Sequence, residues 1–156
     1  MGCDIHIKAQ KRDGDSWVNV NGDFTEGSAP FDWRSYGLFG FLAGVRNYSD
    51  LTPISEPRGL PEGVTEWSDN DETWFGDHSH SWLSVEELSA FNYDAAMEDR
   101  RVGRQLAPNL YSGACTAEPG GGKMTTYREF LGEAFFADLH ELRRIGAERI
   151  VFGFDS

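Results

Sequence analysis

The stretch from Cys3 to Val20, CDIHIKAQKRDGDSWVNV, decides how the rest of the chain is to be read. CDIHIKAQ alternates in period two, so as a strand it places Cys3, Ile5, Ile7 and Ala9 on one face and Asp4, His6 and Lys8 on the other. The apolar face points to a core. RDGDS then supplies an Asp-Gly turn at Asp13 and Gly14, and WVNV returns as a second strand, so residues 3–20 form a hairpin.

A partner for that hairpin comes from the far end of the chain. ERIVFGFDS reads as a strand with Ile150, Phe152 and Phe154 on one face and Val151 and Asp155 near the other. A long helix precedes it, so the last strand can lie parallel beside the first through a crossover. Between the two ends, Asp32 caps a helix through WRSYGLFGFLAGVRN (33–47), apolar over most of its circumference and therefore buried. Ser84 and Glu87 form a capping box that starts a helix through SVEELSAFNYDAAMED (84–99). Thr126 and Glu129 start another through YREFLGEAFFADLHELRRI (127–145), with Leu131, Phe135, Leu139 and Leu142 as its stripe and Gly146 as its end. Residues 47–80, with Pro53, Pro57 and Pro61, scattered glycines and many acids, read as one long irregular segment. The expected fold is α+β: a small sheet from the N-terminal hairpin and C-terminal strand, about three helices and a long irregular acidic loop, with residues 1–156 as a single domain.

Composition supports a folded chain, because 39% hydrophobic and 13% aromatic residues supply a core that a disordered chain lacks. Cys3 and Cys115 do not make a disulfide framework, and no CxxC pair offers a zinc ribbon, so a reducing cytoplasm is the expected setting. No signal peptide or membrane span is visible, and His6 stands where an N-myristoylation signal needs Ser or Thr.

The formal net charge is -12, and no Lys or Arg lies between Arg58 and Arg100. An acidic field of this kind repels phosphate backbones and argues against direct nucleic-acid binding. It serves solubility as a solvated surface, and it also suits cations or a basic protein partner.

Asp4 and His6 leave the same face of the first strand, and His78 and His80 do likewise if GDHSHSW is extended. With Asp155 from the last strand they compose a donor set of Asp4, His6, His78, His80 and Asp155, of the type that holds zinc or manganese and activates water. Asp77 is placed to act as a base or to orient a histidine, and Arg34 and Arg46, with Arg58 nearby, are candidates to neutralise an anionic substrate. Each has a plain structural alternative: a turn cap, exposed histidines, arginines paired with the abundant acids. DNDETW lacks the Gly and final Glu of a calcium loop, and EPGGGKMT lacks the first Gly and the Ser or Thr of a P-loop. Cys3 lies on the strand face opposite His6 and is expected to be a small buried residue.

MGCDIH (1–6), RSYGLFGFLAGVRN (34–47), PRGLP (57–61), DHSHSWLSVEEL (77–88) and VFGFDS (151–156) together resemble a family of small uncharacterised proteins of tailed phages and prophages. The resemblance implies an infected or lysogenic host cytoplasm, and it transfers no catalytic residue.

Two functional expectations follow. The first is a metal-dependent hydrolase acting on a small anionic phosphoester or nucleotide, with the donor set and Asp77, Arg34 and Arg46 as its site. The second is a non-catalytic acidic phage protein, in effect a nucleic-acid mimic, that binds a basic host protein through residues 59–99. Trp67, Trp74, Phe75 and Trp82 would be its aromatic anchors, with at least two of the four expected in the core instead.

Overall fold

The hairpin forms where the alternation places it. In the computed structural model, residues 2–69, 72–107, 110–116 and 118–156 are described, and of 102–116 the backbone alone. Asn70 and Asp71 of DNDETW and the side chain of Cys115 therefore lie outside the described residues. Strand β1 (Asp4–Asp13) turns into β2 (Ser16–Val20) with Asp13 paired to Ser16, so the turn residues are Gly14 and Asp15, one step on from those expected. Gly14 holds φ 64, which a two-residue hairpin loop needs and glycine adopts freely.

Helix α1 (Tyr36–Ala43) is shorter than expected at both ends. Ser35, not Asp32, caps it, its hydroxyl accepting from the Leu38 N–H at 3.3 Å. Gly44 stops it in the left-handed conformation at φ 71. Next come the short strands β3 (Trp67–Ser68) and β4 (Thr73–Trp74), and then β5 (His78–Ser84). The irregular segment expected over 47–80 thus contains a two-strand ribbon and opens the sheet strand that carries HSHSW.

The capping box of Ser84 and Glu87 is present, but α2 (Val85–Ala90) ends after six residues. The chain over which that helix was expected to continue becomes β6 (Ala96–Asp99), because it pairs instead with β9 (Lys123–Thr126). Between them run β7 (Arg101–Ala107) and β8 (Leu110–Thr116), an antiparallel pair. Thr126 caps α3 (Tyr127–Leu131) as expected. Gly132, at φ 82 and ψ 173, then breaks the predicted long helix, and α4 (Glu133–Arg144) carries Phe135, Leu139 and Leu142 inward. The last strand is β10 (Arg149–Asp155).

The main sheet has the order β2-β1-β10-β5, and every neighbouring pair is antiparallel. This corrects the parallel pairing. The end of α4 delivers the chain to the Gln10 end of β1, where the Glu148 N–H donates to the Gln10 carbonyl at 2.8 Å, so β10 runs back toward Asp4. One face of the sheet packs Ile5, Ile7, Ile150, Phe152 and Phe154 against α1 and α4. Phe39 meets Phe154 edge-on at 5.0 Å, and Phe135 meets Phe41 at 5.8 Å. The other face carries Asp4, His6, Lys8 and Gln10 beside Asp155, Gly153, Val151 and Arg149. Both candidate regions of the molecule sit on this second face. Among the described residues no helix is long and apolar enough to cross a membrane.

Candidate functional site

Antiparallel register brings Asp155 opposite Asp4 and Gly153 opposite His6. The His6 Nε2 and Asp155 Oδ2 atoms are 2.6 Å apart, with the two side chains 27% and 29% exposed. A carboxylate at that distance holds the imidazole in one orientation. It leaves Nδ1 as the ring nitrogen without a partner among the described residues, free to accept a proton or donate to a metal. The ring of Trp74 leans on His6 at 4.5 Å between centroids and closes one side.

Asp4 has a different partner from the one its position suggested. Arg34 grips it in a fork, Nε donating to Oδ1 and Nη2 to Oδ2, both at 2.9 Å. The Arg34 guanidinium holds the Asp4 carboxyl below the usual aspartate range, chiefly through those hydrogen bonds. Both oxygens of Asp4 are engaged, and Arg34 is spent on it rather than standing free for a substrate.

Gly153 determines how the histidines relate. A Cβ there would lie 1.8 Å from the Phe75 carbonyl oxygen and 2.6 Å from Cδ2 of His80. The chain at Phe75 therefore rests on the bare backbone of β10, and His80 reaches the same spot that stands opposite His6. His80 donates from Nε2 to the Gly76 carbonyl at 3.0 Å, which ties it to this covering segment. His78 pairs with Phe154 in register and makes hydrogen bonds to Ser79 Oγ at 3.0 Å and Ser156 Oγ at 3.1 Å. Asp77 gives its backbone N–H to the Phe154 carbonyl at 2.8 Å, with its side chain exposed. Arg46 lies apart, over the Tyr36 ring and bonded to Tyr48 Oη at 3.4 Å.

Of the expected residues, then, His6 and Asp155 are in direct contact, Asp4 is beside them under Arg34, and His80 reaches Gly153. His78 has hydroxyl partners, and Arg46 is elsewhere. Among the described residues no group of three or more His, Cys, Asp and Glu side chains is disposed to hold a metal ion. Arg58, the third arginine noted in the sequence, clamps Glu87 through both terminal nitrogens and lies over Trp82 at 4.7 Å. Cys3 is fully buried, and burial pushes its thiol up, away from nucleophilic use.

Toward β2 the same face opens into a cavity of about 640 Å³ that sequence reasoning passed over. Arg149, Gln10, Asn19 and Trp17 line the sheet side, and Thr73 and Phe75 the covering segment. Arg149 Nε donates to Gln10 Oε1 at 2.9 Å, Gln10 Nε2 donates to Asn19 Oδ1 at 3.0 Å, and the guanidinium lies over Trp17 at 3.7 Å. One signal could have found it: Arg149 is the single basic residue of a final strand that is apolar apart from it and Asp155.

Comparison with protein-family models, with curated proteins and with solved structures finds no match for the chain.

Proposed function

We propose that the protein is a hydrolase of a small anionic ester, a phosphoester or nucleotide, in which His6, held by Asp155, activates the attacking water. The observation that carries this reading is the 2.6 Å contact between His6 Nε2 and Asp155 Oδ2 on a partly open face. A carboxylate on one ring nitrogen fixes the tautomer and the orientation of the ring, which is what a general base or a metal-ligating histidine needs. In this arrangement Asp155 orients His6 rather than binding metal itself. A zinc or manganese ion, where used, would take His6 Nδ1 as a donor and lower the pKa of its bound water. The setting is the host cytoplasm that the phage resemblance implies.

The test compares the wild-type chain with His6→Ala and Asp155→Asn on aryl phosphomonoesters and phosphodiesters, with and without added Zn²⁺ or Mn²⁺. Hydrolysis should fall by roughly a hundredfold or more in His6→Ala, the usual worth of a positioned base. Undiminished hydrolysis in His6→Ala, or none in the wild type under either metal condition, would overturn the reading.

A second reading rests on a separate observation. Trp67 and Trp74 stand directly opposite one another on β3 and β4, 50% and 38% exposed, with Glu66, Asp69 and Glu72 exposed around them. Paired aromatics within an acidic rim suit a basic protein partner, whereas Phe75 is buried and Trp82 lies under Arg58. On that reading His6→Ala is silent, and replacing Glu62, Glu66 and Glu72 by Gln slows association.

A further inference from the structure

We propose that the cavity between β2 and the covering segment is a binding site for a small molecule with a carboxylate at one end and a cationic group at the other. Arg149 takes the carboxylate. The inference is independent of the hydrolase reading, because it concerns other residues and is measured by binding.

Arg149 is 7% exposed, and its Nη2 is shut off from solvent with no hydrogen-bond acceptor among the described residues. No carboxylate among the described residues forms an ion pair with it; its contacts are the amide oxygen of Gln10 and the face of Trp17. Loss of water lowers its pKa, and the nearby charge of Arg12 lowers it further. A buried charge kept for structure is ordinarily matched by an opposite charge, since removing an ion from water costs several kcal/mol. Here the match is missing, and the side chain lines a cavity of about 640 Å³, a size typical of small-molecule sites. An oxyanion entering the cavity would supply the opposite charge that the Arg149 guanidinium lacks.

The rest of the lining sets the other end of the ligand. Asp15 and Glu62 are the carboxylates among the lining residues; both are exposed, and neither has a cationic partner among the described residues. They would face the cationic group of the ligand, and they disfavour a multiply charged phosphate. Gln10 and Asn19, tied to each other and to Arg149, hold the guanidinium in place before any ligand arrives.

The experiment is calorimetric or NMR titration of the full chain with 4-guanidinobutanoate, butanoate and butylguanidinium. The first carries both charges, and each of the others lacks one. Saturable binding of 4-guanidinobutanoate is expected, with butylguanidinium weaker by on the order of tenfold or more, the worth of a lost charged hydrogen bond. Arg149→Gln should weaken 4-guanidinobutanoate by a similar factor, and Glu62→Gln should weaken it while leaving butanoate unchanged. Absent saturation with 4-guanidinobutanoate, or equal binding of butylguanidinium, would overturn the proposal. The probe series on the wild-type chain decides the matter even where Arg149→Gln fails to fold, and His6→Ala should bind all three probes as the wild type does.

Discussion

Asp138 and Glu141, one turn apart on α4, hold the chain between Asp23 and Phe31 against the helix. Asp138 accepts from the Thr25 N–H and hydroxyl, both at 2.8 Å, and from the Phe31 N–H at 2.9 Å. Glu141 accepts from the Asp23 N–H at 2.7 Å and from both Nε and Nη2 of Arg144. The Arg144 guanidinium first, and the Asp23 N–H second, bring the Glu141 carboxyl down to about 2. Its folded-state pKa is depressed, so the stability it contributes is fully present above the unfolded value of about 4.3 and is lost as pH falls toward 2. Urea unfolding of Glu141→Gln at a series of pH values should show a shallower decline in stability between about pH 4.5 and 2 than the wild type. An identical slope would mean that Glu141 does not carry this linkage. Neither acid was legible in the sequence. The helical stripe picks out Leu139 and Leu142, but the donors that make Asp138 and Glu141 interior residues lie 113 and 118 positions earlier.

Elements were legible where a local signal starts them and illegible where a distant partner ends them. The capping box at Ser84 forms in full, and at Thr126 the hydroxyl caps the helix while the Glu129 carboxylate accepts from the Thr125 hydroxyl instead of closing a box; the capping bonds span three residues. The helix after Ser84 nevertheless stops at Ala90, because β9 claims residues 96 to 99 as a strand partner. At Gly153 the covering segment rests on β10, and the Phe75 carbonyl occupies the place of a side chain. Gly76 reinforces the contact at φ 75, with the Phe154 carbonyl oxygen 2.3 Å from where its Cβ would be. Gly153→Ala should therefore force the covering segment off β10 and destabilise the fold by roughly 3 kcal/mol, the upper range for overpacking. Chemical denaturation gives the stability change, and the Trp74 ring current on the His6 protons reports the displacement. A variant as stable as the wild type, with those protons unmoved, would contradict the close approach.

At the scale of the whole molecule, a net charge of -12 sets the balance of its surface. Several ion pairs are exposed, among them Arg34 with Asp4 and Arg128 with Asp94, and such pairs contribute little individually. Self-repulsion of the excess acids outweighs them, so salt should stabilise the protein. Raising NaCl from about 0.1 M to 1 M shortens the screening length from about 10 to 3 Å, and Tm should rise by at least about 3 °C. A fall in Tm would show that the ion pairs dominate. By itself the sequence determined the hairpin, the apolar face of the last strand, the buried first helix, the helix caps at Ser84 and Thr126 and the α+β class, because alternation, caps and turns are properties of neighbouring residues. Tertiary structure decided the direction of β10, and with it the candidate site. In a parallel pairing Asp155 would stand at the Asp13 end of β1, whereas the antiparallel register sets it opposite Asp4 and in contact with His6. It also decided that Arg34 grips Asp4 and that Arg149 lies over Trp17 with no carboxylate partner among the described residues. Those outcomes depend on which strands meet and in which direction, a choice made by packing the whole core rather than by any local run of residues.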